Sequence, residues 1–203
     1  AEHKFRYKHF IDYLNSEGFH VAIYDHRGHG DRIADNKIGF FSSKNGWSNV
    51  VNDLVAVHNK TNNLYPDLPK VLLGHSMGSW ISLSAAQKET KFDILLLSGS
   101  SYPNSFETAL QKIFLKIETL RLGNHGYSKF MHNLIFGGFN SKFKGATNPN
   151  EWLSRDSEIV KRYTEDPLCG FVVSNQLWLD VVMGIQSVFE LHQLEKIDKR
   201  SQY

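Results

Sequence analysis

Short apolar runs alternate with amphipathic stretches over the first hundred residues of the chain. Three runs are brief and apolar, as in β-strands buried on both faces, and lie at residues 19–24, 71–73 and 92–98. Apolar residues recur at helical spacing in three other segments, at residues 4–17, 47–64 and 79–88. Strands and helices that alternate at this spacing predict parallel βαβ units with right-handed crossovers.

The pattern changes after Ser98, where no further β-rich run appears. Two helical stripes follow, the first formed by Phe106, Ala109, Leu110, Ile113, Phe114, Ile117 and Leu120, the second by Leu177, Trp178, Val181, Val182, Ile185, Val188 and Phe189. An aromatic segment rich in glycine and asparagine lies between them. We therefore predict an α/β core at residues 1–100 and a helical cap at residues 101–190.

Composition and charge exclude several classes of function. The 203 residues carry 23 basic and 21 acidic side chains, and the formal net charge of +2 argues against a nucleic-acid binder. The single cysteine, Cys169, suits a reducing compartment. No apolar stretch approaches the length of a membrane span, and the N-terminal residues do not resemble a signal peptide. These features favour a cytoplasmic protein and leave peripheral contact with a membrane open.

The second apolar run leads directly into a motif of catalytic type. Residues 74–78 read Gly-His-Ser-Met-Gly, which fits G-x-S-x-G between a strand and a helix. Such a tight turn is expected to strain the backbone of Ser76 and to expose its hydroxyl as a nucleophile. Gly74, His75 and Gly78 surround Ser76 and are expected to support this elbow. Because the two glycines lack a Cβ atom, strand and helix can approach closely there. The Met77 N–H, at the start of the helix, is expected to face a developing oxyanion.

A polar loop, Asp-His-Arg-Gly-His-Gly at residues 25–30, follows the first predicted strand. His26 and His29 have the H-x-x-H spacing of some metal sites, but a loop lacks the rigid helix that holds such imidazoles. We favour a structural interpretation in which Asp25 pairs with Arg27 and organises the loop. His58, on the apolar face of the second helix, is interpreted as a packed, hydrogen-bonded histidine.

These motifs together resemble one family. The Gly-His-Ser-Met-Gly and Asp-His-Arg-Gly-His-Gly segments, with residues 152–156 and the Asp-Pro-Leu-Cys-Gly-Phe segment at 166–171, look like the lysophospholipase and monoacylglycerol lipase branch of the α/β-hydrolases, a serine aminopeptidase-type hydrolase family. The resemblance covers nearly the whole chain. It implies an α/β-hydrolase fold: a mostly parallel sheet with flanking helices and a helical cap insertion, present here as an incomplete core. By this resemblance residues 1–100 are a partial core with the nucleophile elbow, and residues 191–203 start the return to the core.

The resemblance also indicates which parts of the family's active site fall outside this chain. In the family, residues 1–3 directly follow an H-G-x segment that provides the second oxyanion donor. The strand before Ala1 would lie between the strands at 19–24 and 70–74. The catalytic acid and histidine follow later core strands, beyond Tyr203. Asp166 matches the cap segment, and His192 lies on a helical stripe, so neither is assigned to the triad. We therefore expect the segment alone to be inactive.

The function implied is hydrolysis of carboxylic esters of single-chain lipids, either lysophospholipids or monoacylglycerols, through an acyl-enzyme. No metal and no organic cofactor is expected. The expected partner is a small lipid ester, with transient contact between the cap and a membrane surface left open. Two alternatives remain: a proline-type aminopeptidase on the same fold, and a non-catalytic hydrolase-fold binding protein. The sequence does not determine the oligomeric state.

Overall fold

The computed structural model describes residues 1–35, 37–88, 90–140, 143 and 145–197. Residues 198–203, the end of the predicted return to the core, lie outside the described residues. The described helices and strands are α1 (Lys8–Ser16), α2 (Gly46–Leu64), β1 (Val71–His75), α3 (Met77–Ala86), β2 (Ile94–Ser98), α4 (Ser105–Leu122), α5 (Lys129–Asn140), α6 (Ser157–Glu165), α7 (Asn175–Val188) and α8 (Leu191–Leu194). None of the described helices is both long and apolar enough to cross a membrane.

The chain divides into two compact units. The first comprises residues 1–40 and 114–177, and the second residues 41–113 and 178–203. The boundary falls inside α4, between Ile113 and Phe114. The functional division into core, cap and return stays a prediction.

A parallel pair of strands forms the centre of the second unit. β1 and β2 pair in register from Val71 opposite Ile94 to His75 opposite Ser98, with α3 connecting them. Parallel strands need such a crossover because a short turn cannot return the chain to the same end of the sheet. The predicted β1–α3–β2 unit is therefore confirmed.

Helix α3 packs against both strands of this pair, and α2 packs against α3. These two helices contribute Val50, Val51, Leu54, Ile81, Leu83 and Ala85 to the buried core of this unit, and β2 contributes Leu95. The indole N–H of Trp47 donates to the Ser84 hydroxyl at 3.1 Å, which joins the start of α2 to α3. Closer to the C-terminal end of α2, the ring of His58 meets Phe92 edge-on with centroids 4.4 Å apart. The predicted packing of His58 is thus confirmed, and the hydrogen bond of its ring stays a prediction.

The first unit is built mainly from α1, α5, α6 and the loops between them. Gly18 ends α1 at φ 86°, where the Phe19 N–H donates back to the Leu14 carbonyl at 3.0 Å. Asp156 begins α6 by accepting the N–H groups of Glu158 and Ile159. The buried core of this unit includes Leu115, Met131, Val160, Tyr163, Val173 and Leu177.

Two expectations about the sheet are wrong in the described structure. Residues 19–24 form no strand, and the described sheet contains β1 and β2 alone. Strand formation requires a neighbouring ladder, which local hydrophobicity cannot provide. The strands are also not buried on both faces, since Val71, Leu73 and Leu96 are exposed.

Helix α4 presents its apolar stripe outwards. Phe106, Leu110, Ile113, Ile117 and Leu120 follow helical spacing along one side and are all exposed. The buried residues of α4 lie on the opposite side and are Thr108, Leu115 and Glu118. The predicted helix and stripe are confirmed, but the stripe does not face a core.

Candidate active site

Ser76 connects β1 to α3 in a strained conformation. It has φ 52° and ψ −122°, between the last strand residue, His75, and the first helical residue, Met77. A positive φ is unfavourable for a residue with a Cβ atom. The side chain is exposed at the carboxyl end of β1. The predicted strained elbow, with its hydroxyl displayed, is therefore confirmed.

Hydrogen bonds on both sides hold Ser76 in this conformation. Its N–H donates to the Ser98 carbonyl at 2.8 Å, which extends the pairing of β1 with β2 by one residue. Its carbonyl accepts both the N–H of Ser79, at 2.9 Å, and the Ser79 hydroxyl, at 2.6 Å. Ser79 is fully buried, which fixes the position of both of its donors. Strained backbone persists where the surroundings over-determine it, as they do here.

The two glycines of the motif differ in their surroundings. A Cβ atom at Gly74 would lie 2.5 Å from the Gly78 carbonyl oxygen and 2.5 Å from the Ser82 hydroxyl oxygen. A Cβ atom at Gly78 would meet nothing within 4 Å outside the backbone of its own helix. The expected close approach of strand and helix is therefore confirmed at Gly74. At Gly78 the expectation is wrong, because no described residue outside its own helix backbone lies close enough to crowd a side chain there.

His75 is fixed beside the nucleophile by the next strand. Its Nδ1 atom lies 3.2 Å from the Ser98 hydroxyl. The residue after Ser98 is Gly99, which has φ 60°. A Cβ atom at Gly99 would lie 3.2 Å from the His75 ring. The end of β2 thus supports both the backbone of Ser76 and the ring of His75. Sequence reasoning missed Ser98 and Gly99, although each lies at the end of a predicted strand.

The N-terminus of α3 places a partial positive charge at the site. Met77 is the first residue of α3, and the first N–H groups of a helix have no partner within it. They carry the positive end of the helix dipole. Among the described residues, no group makes a hydrogen bond with the Ser76 hydroxyl. The location of the triad acid and histidine outside this chain stays a prediction.

The loop at residues 25–30 is organised by a buried carboxylate. Asp25 accepts the N–H of Lys4 at 2.7 Å and that of Asp31 at 3.0 Å, and the Lys4 ammonium lies 3.5 Å away. Asp25 therefore does organise the loop, with Lys4 as a partner that sequence spacing could not identify. Its pairing with Arg27 stays a prediction.

His29 of that loop is held by the backbone of the loop itself. His29 is buried, and its Nδ1 atom lies 3.0 Å from the Arg27 carbonyl oxygen. Burial lowers the pKa of His29 to about 3, so the ring is neutral in ordinary buffers. His26 and His29 belong to no described group of three or more ligands that could hold a metal ion.

The N-terminal residues meet the Asp-Pro-Leu-Cys-Gly-Phe segment within the first unit. His3 Nε2 lies 2.8 Å from Asp166 Oδ2, and the Gly170 N–H donates to the Ala1 carbonyl at 3.0 Å. Burial would raise the pKa of Asp166, but hydrogen bonds from His3 and the Leu168 N–H outweigh it and lower that pKa. Asp166 therefore has a partner of its own. Sequence reasoning missed this contact because 163 positions separate the two residues.

Comparison with known proteins identifies the family. The family model for serine aminopeptidases, S33, matches residues 1–197. Rat monoglyceride lipase is 30% identical over 169 residues, which cover 83% of this chain and 49% of that protein. Monoacylglycerol lipase of Mycolicibacterium smegmatis is 27% identical, with coverage of 83% and 52%. The chain thus spans about half the length of the curated relatives it matches.

Solved structures agree with this assignment. A highly thermostable carboxyl esterase from Bacillus coagulans, solved in complex with glycerol, superposes with a TM-score of 0.84 at 26% identity. The superposition covers 98% of this chain and 65% of the esterase. The parallel β1–α3–β2 unit is thus part of an α/β-hydrolase core, as predicted. The chain belongs to the serine aminopeptidase S33 family of α/β-hydrolases, in its monoacylglycerol lipase-like branch.

Proposed function

We propose that the protein containing this chain hydrolyses carboxylic esters, with Ser76 as its nucleophile. The single observation that carries this proposal is the backbone of Ser76. A serine at φ 52°, held between a strand and a helix and exposed at the end of the strand, has the strained, displayed conformation of a nucleophile elbow. The family membership supports the same assignment.

The proposed reaction passes through an acyl-enzyme. The Ser76 oxygen attacks the ester carbonyl carbon, and its proton passes to a histidine outside this chain. The carbonyl oxygen becomes an oxyanion, to which the Met77 N–H donates a hydrogen bond. Loss of one such donor typically costs about 3 kcal/mol of transition-state stabilisation. The alcohol then leaves with a proton, and water hydrolyses the acyl-serine.

The proposed substrates are esters of single-chain lipids, namely monoacylglycerols or lysophospholipids. The support for monoacylglycerols lies in the relatives, two of which are named as monoglyceride or monoacylglycerol lipases. Lysophospholipids are proposed from the wider resemblance of the motifs. A non-catalytic protein of this fold would not require the strain at Ser76.

Ser76→Ala in the full-length protein tests the proposal. Hydrolysis of a short-chain nitrophenyl ester and of a monoacylglycerol should fall at least 1,000-fold, on the order of the loss seen when a catalytic nucleophile is removed. Ser16→Ala, at an exposed serine of α1, is the matched control and should keep full activity. Normal hydrolysis by Ser76→Ala would contradict the proposal. Turnover of prolyl amides but not of esters would favour the aminopeptidase alternative.

We also propose that the exposed stripe of α4 contacts the lipid surface that supplies the substrate. The support lies in its position: five large apolar side chains share one side of the helix, and Leu120 is 90% exposed. Burying a leucine side chain contributes about 1.5–3 kcal/mol, so each residue that enters the acyl boundary would raise membrane affinity about tenfold or more.

A vesicle-binding assay tests the role of this stripe. Leu120→Glu should reduce co-sedimentation of the full-length protein with phosphatidylcholine vesicles at least tenfold, because a carboxylate does not enter the acyl region. Leu191→Glu is the matched control, since Leu191 is 75% exposed and belongs to α8 rather than to α4. Equal vesicle binding by wild type and Leu120→Glu would contradict this proposal. It would leave ester hydrolysis by Ser76 untouched.

A further inference from the structure

A second cluster of chemically active side chains lies in the first unit. His3, Asp166 and Cys169 each offer one ligand atom, and these atoms all lie within 4.8 Å of one another. His3 Nε2 and Asp166 Oδ2 are 2.8 Å apart. In the part of the chain that the structure describes, no other group of three such side chains is as close. An ion pair needs one acidic and one basic group, whereas this cluster adds a sulfur atom to the nitrogen and the oxygen.

The turn that carries two of these ligands has the geometry of a chelating loop. The Cys169 N–H donates to the Asp166 carbonyl at 3.0 Å, and the Leu168 N–H donates to Asp166 Oδ1 at 2.8 Å. This tight turn brings the side chains of residues 166 and 169 together. Two ligands separated by two residues are also the common spacing in structural zinc sites.

The third ligand is held in place by burial. The His3 side chain is 10% exposed, and its Nδ1 atom is buried with no hydrogen-bond partner among the described residues. Its Nε2 atom is the one that faces Asp166, so burial of the ring holds that nitrogen in the cluster. Cys169 is also buried, whereas the Asp166 side chain is 31% exposed and leaves a path for solvent.

We propose that His3, Asp166 and Cys169 bind a divalent transition-metal ion, with Zn²⁺ as the best fit. Zinc accepts imidazole nitrogen, carboxylate oxygen and thiolate sulfur together, whereas Ca²⁺ and Mg²⁺ prefer oxygen alone. Zinc–ligand bonds of about 2.0–2.3 Å in a tetrahedron place ligand atoms about 3.3–3.8 Å apart. The observed separations, from 2.8 Å to at most 4.8 Å, need shifts of about 1 Å. A water molecule on the open side of Asp166 would complete the coordination, and the thiol proton would leave to solvent.

The proposed ion has a structural role. It would connect the N-terminal residues to a turn 163 positions away, because His3 and Asp166 come from the two sequence segments of the first unit. It takes no part in the chemistry at Ser76 and is independent of the proposed function. The sequence interpretation had expected no metal in this protein, and the spacing between His3 and the other two ligands explains why.

Cobalt spectroscopy tests the site on the full-length protein. The reduced protein is freed of metal with a chelator and titrated with Co²⁺. We expect a near-ultraviolet thiolate-to-cobalt charge-transfer band that saturates at one equivalent and is displaced by Zn²⁺. Cys169→Ser should abolish the band, and Cys169→His should abolish the band while keeping Zn²⁺ bound. His3→Gln and Asp166→Asn should each weaken Zn²⁺ binding at least tenfold.

The matched control is His9→Gln, at an exposed histidine of α1, which should bind Zn²⁺ as wild type does. Zn²⁺ should also raise the melting temperature of wild type by several degrees and leave that of Cys169→Ser unchanged. If the substituted proteins do not fold, X-ray absorption of zinc-loaded wild type still decides, because the site requires one sulfur ligand. No charge-transfer band, no sulfur ligand, or equal Zn²⁺ affinity in folded Cys169→Ser would overturn the proposal.

Discussion

Substitution of the two elbow glycines by alanine should change stability in opposite directions. The Cβ atom of Gly74→Ala would lie 2.5 Å from the Gly78 carbonyl oxygen, about 1 Å short of ordinary contact. That oxygen belongs to the first turn of α3 and cannot rotate away. The second clash, at the buried Ser82 hydroxyl, requires a further adjustment. Overpacking of this kind costs about 1–3 kcal/mol.

Gly78→Ala provides the matched control within the same motif. Its Cβ atom meets nothing within 4 Å outside its own helix, and its φ is not positive. Alanine is favoured over glycine in a helix by up to about 1 kcal/mol, so Gly78→Ala should be neutral or stabilising. We therefore expect the free energies of unfolding of the two variants to differ by about 1–4 kcal/mol, with Gly74→Ala the less stable.

Urea denaturation of the full-length wild type and both variants measures this difference. The denaturation midpoint should fall for Gly74→Ala and stay equal or rise for Gly78→Ala, with a common slope for all three proteins. A neutral Gly74→Ala would refute the argument from close approach of strand and helix. Equal destabilisation by both substitutions would also refute it, because the cause would then be the loss of any glycine in the motif rather than a clash at Gly74.

Three further predictions concern buried groups. Burial lowers the pKa of His29 from 6.5 to about 3, so below pH 6.5 the unfolded chain binds a proton that the folded chain does not, and the free energy of unfolding should fall by about 2 kcal/mol from pH 7.5 to pH 5. In urea titrations at these two pH values, His29→Asn should remove this part of the pH dependence. An unchanged pH dependence in His29→Asn would contradict the prediction. Ser128→Ala should cost about 1–3 kcal/mol in the same assay, since the fully buried hydroxyl donates to Glu118 at 2.5 Å and accepts the Met131 N–H at 3.1 Å; a neutral substitution would show that water replaces it. Gly184→Ala should lower the melting temperature measured by circular dichroism, because its Cβ atom would clash with the Trp47 ring, and an unchanged melting temperature would place that ring elsewhere.

The sequence correctly predicted those helices and strands whose formation depends on residues close together in the chain. The apolar run at residues 71–73, the glycine-flanked Ser76 and the helix after it required no distant partner, and the structure has them where the sequence placed them. The strained φ of Ser76 followed from the tightness of the turn. Helical spacing likewise located α2, α4 and α7 within a few residues. These features are set by interactions among near neighbours in the chain.

Features that depend on distant partners could not be predicted. Residues 19–24 have the composition of a strand, but a strand exists only where a second strand supplies its hydrogen bonds. The stripe of α4 marked an amphipathic helix, yet periodicity does not tell which side packs against the protein, and the packed side carries Leu115 at 0% exposure. The approach of His3 to Asp166 leaves no trace in either local sequence.

Labelling with a fluorophosphonate probe tests the central claim most directly, because such probes react with activated serines rather than with exposed ones. The full-length protein is treated with the probe, digested and analysed by mass spectrometry. The account predicts stoichiometric modification of Ser76 in wild type, none in Ser76→Ala, and unchanged labelling in Ser16→Ala. An unlabelled wild type that is folded, or modification of a different serine, would contradict the claim that Ser76 is the nucleophile.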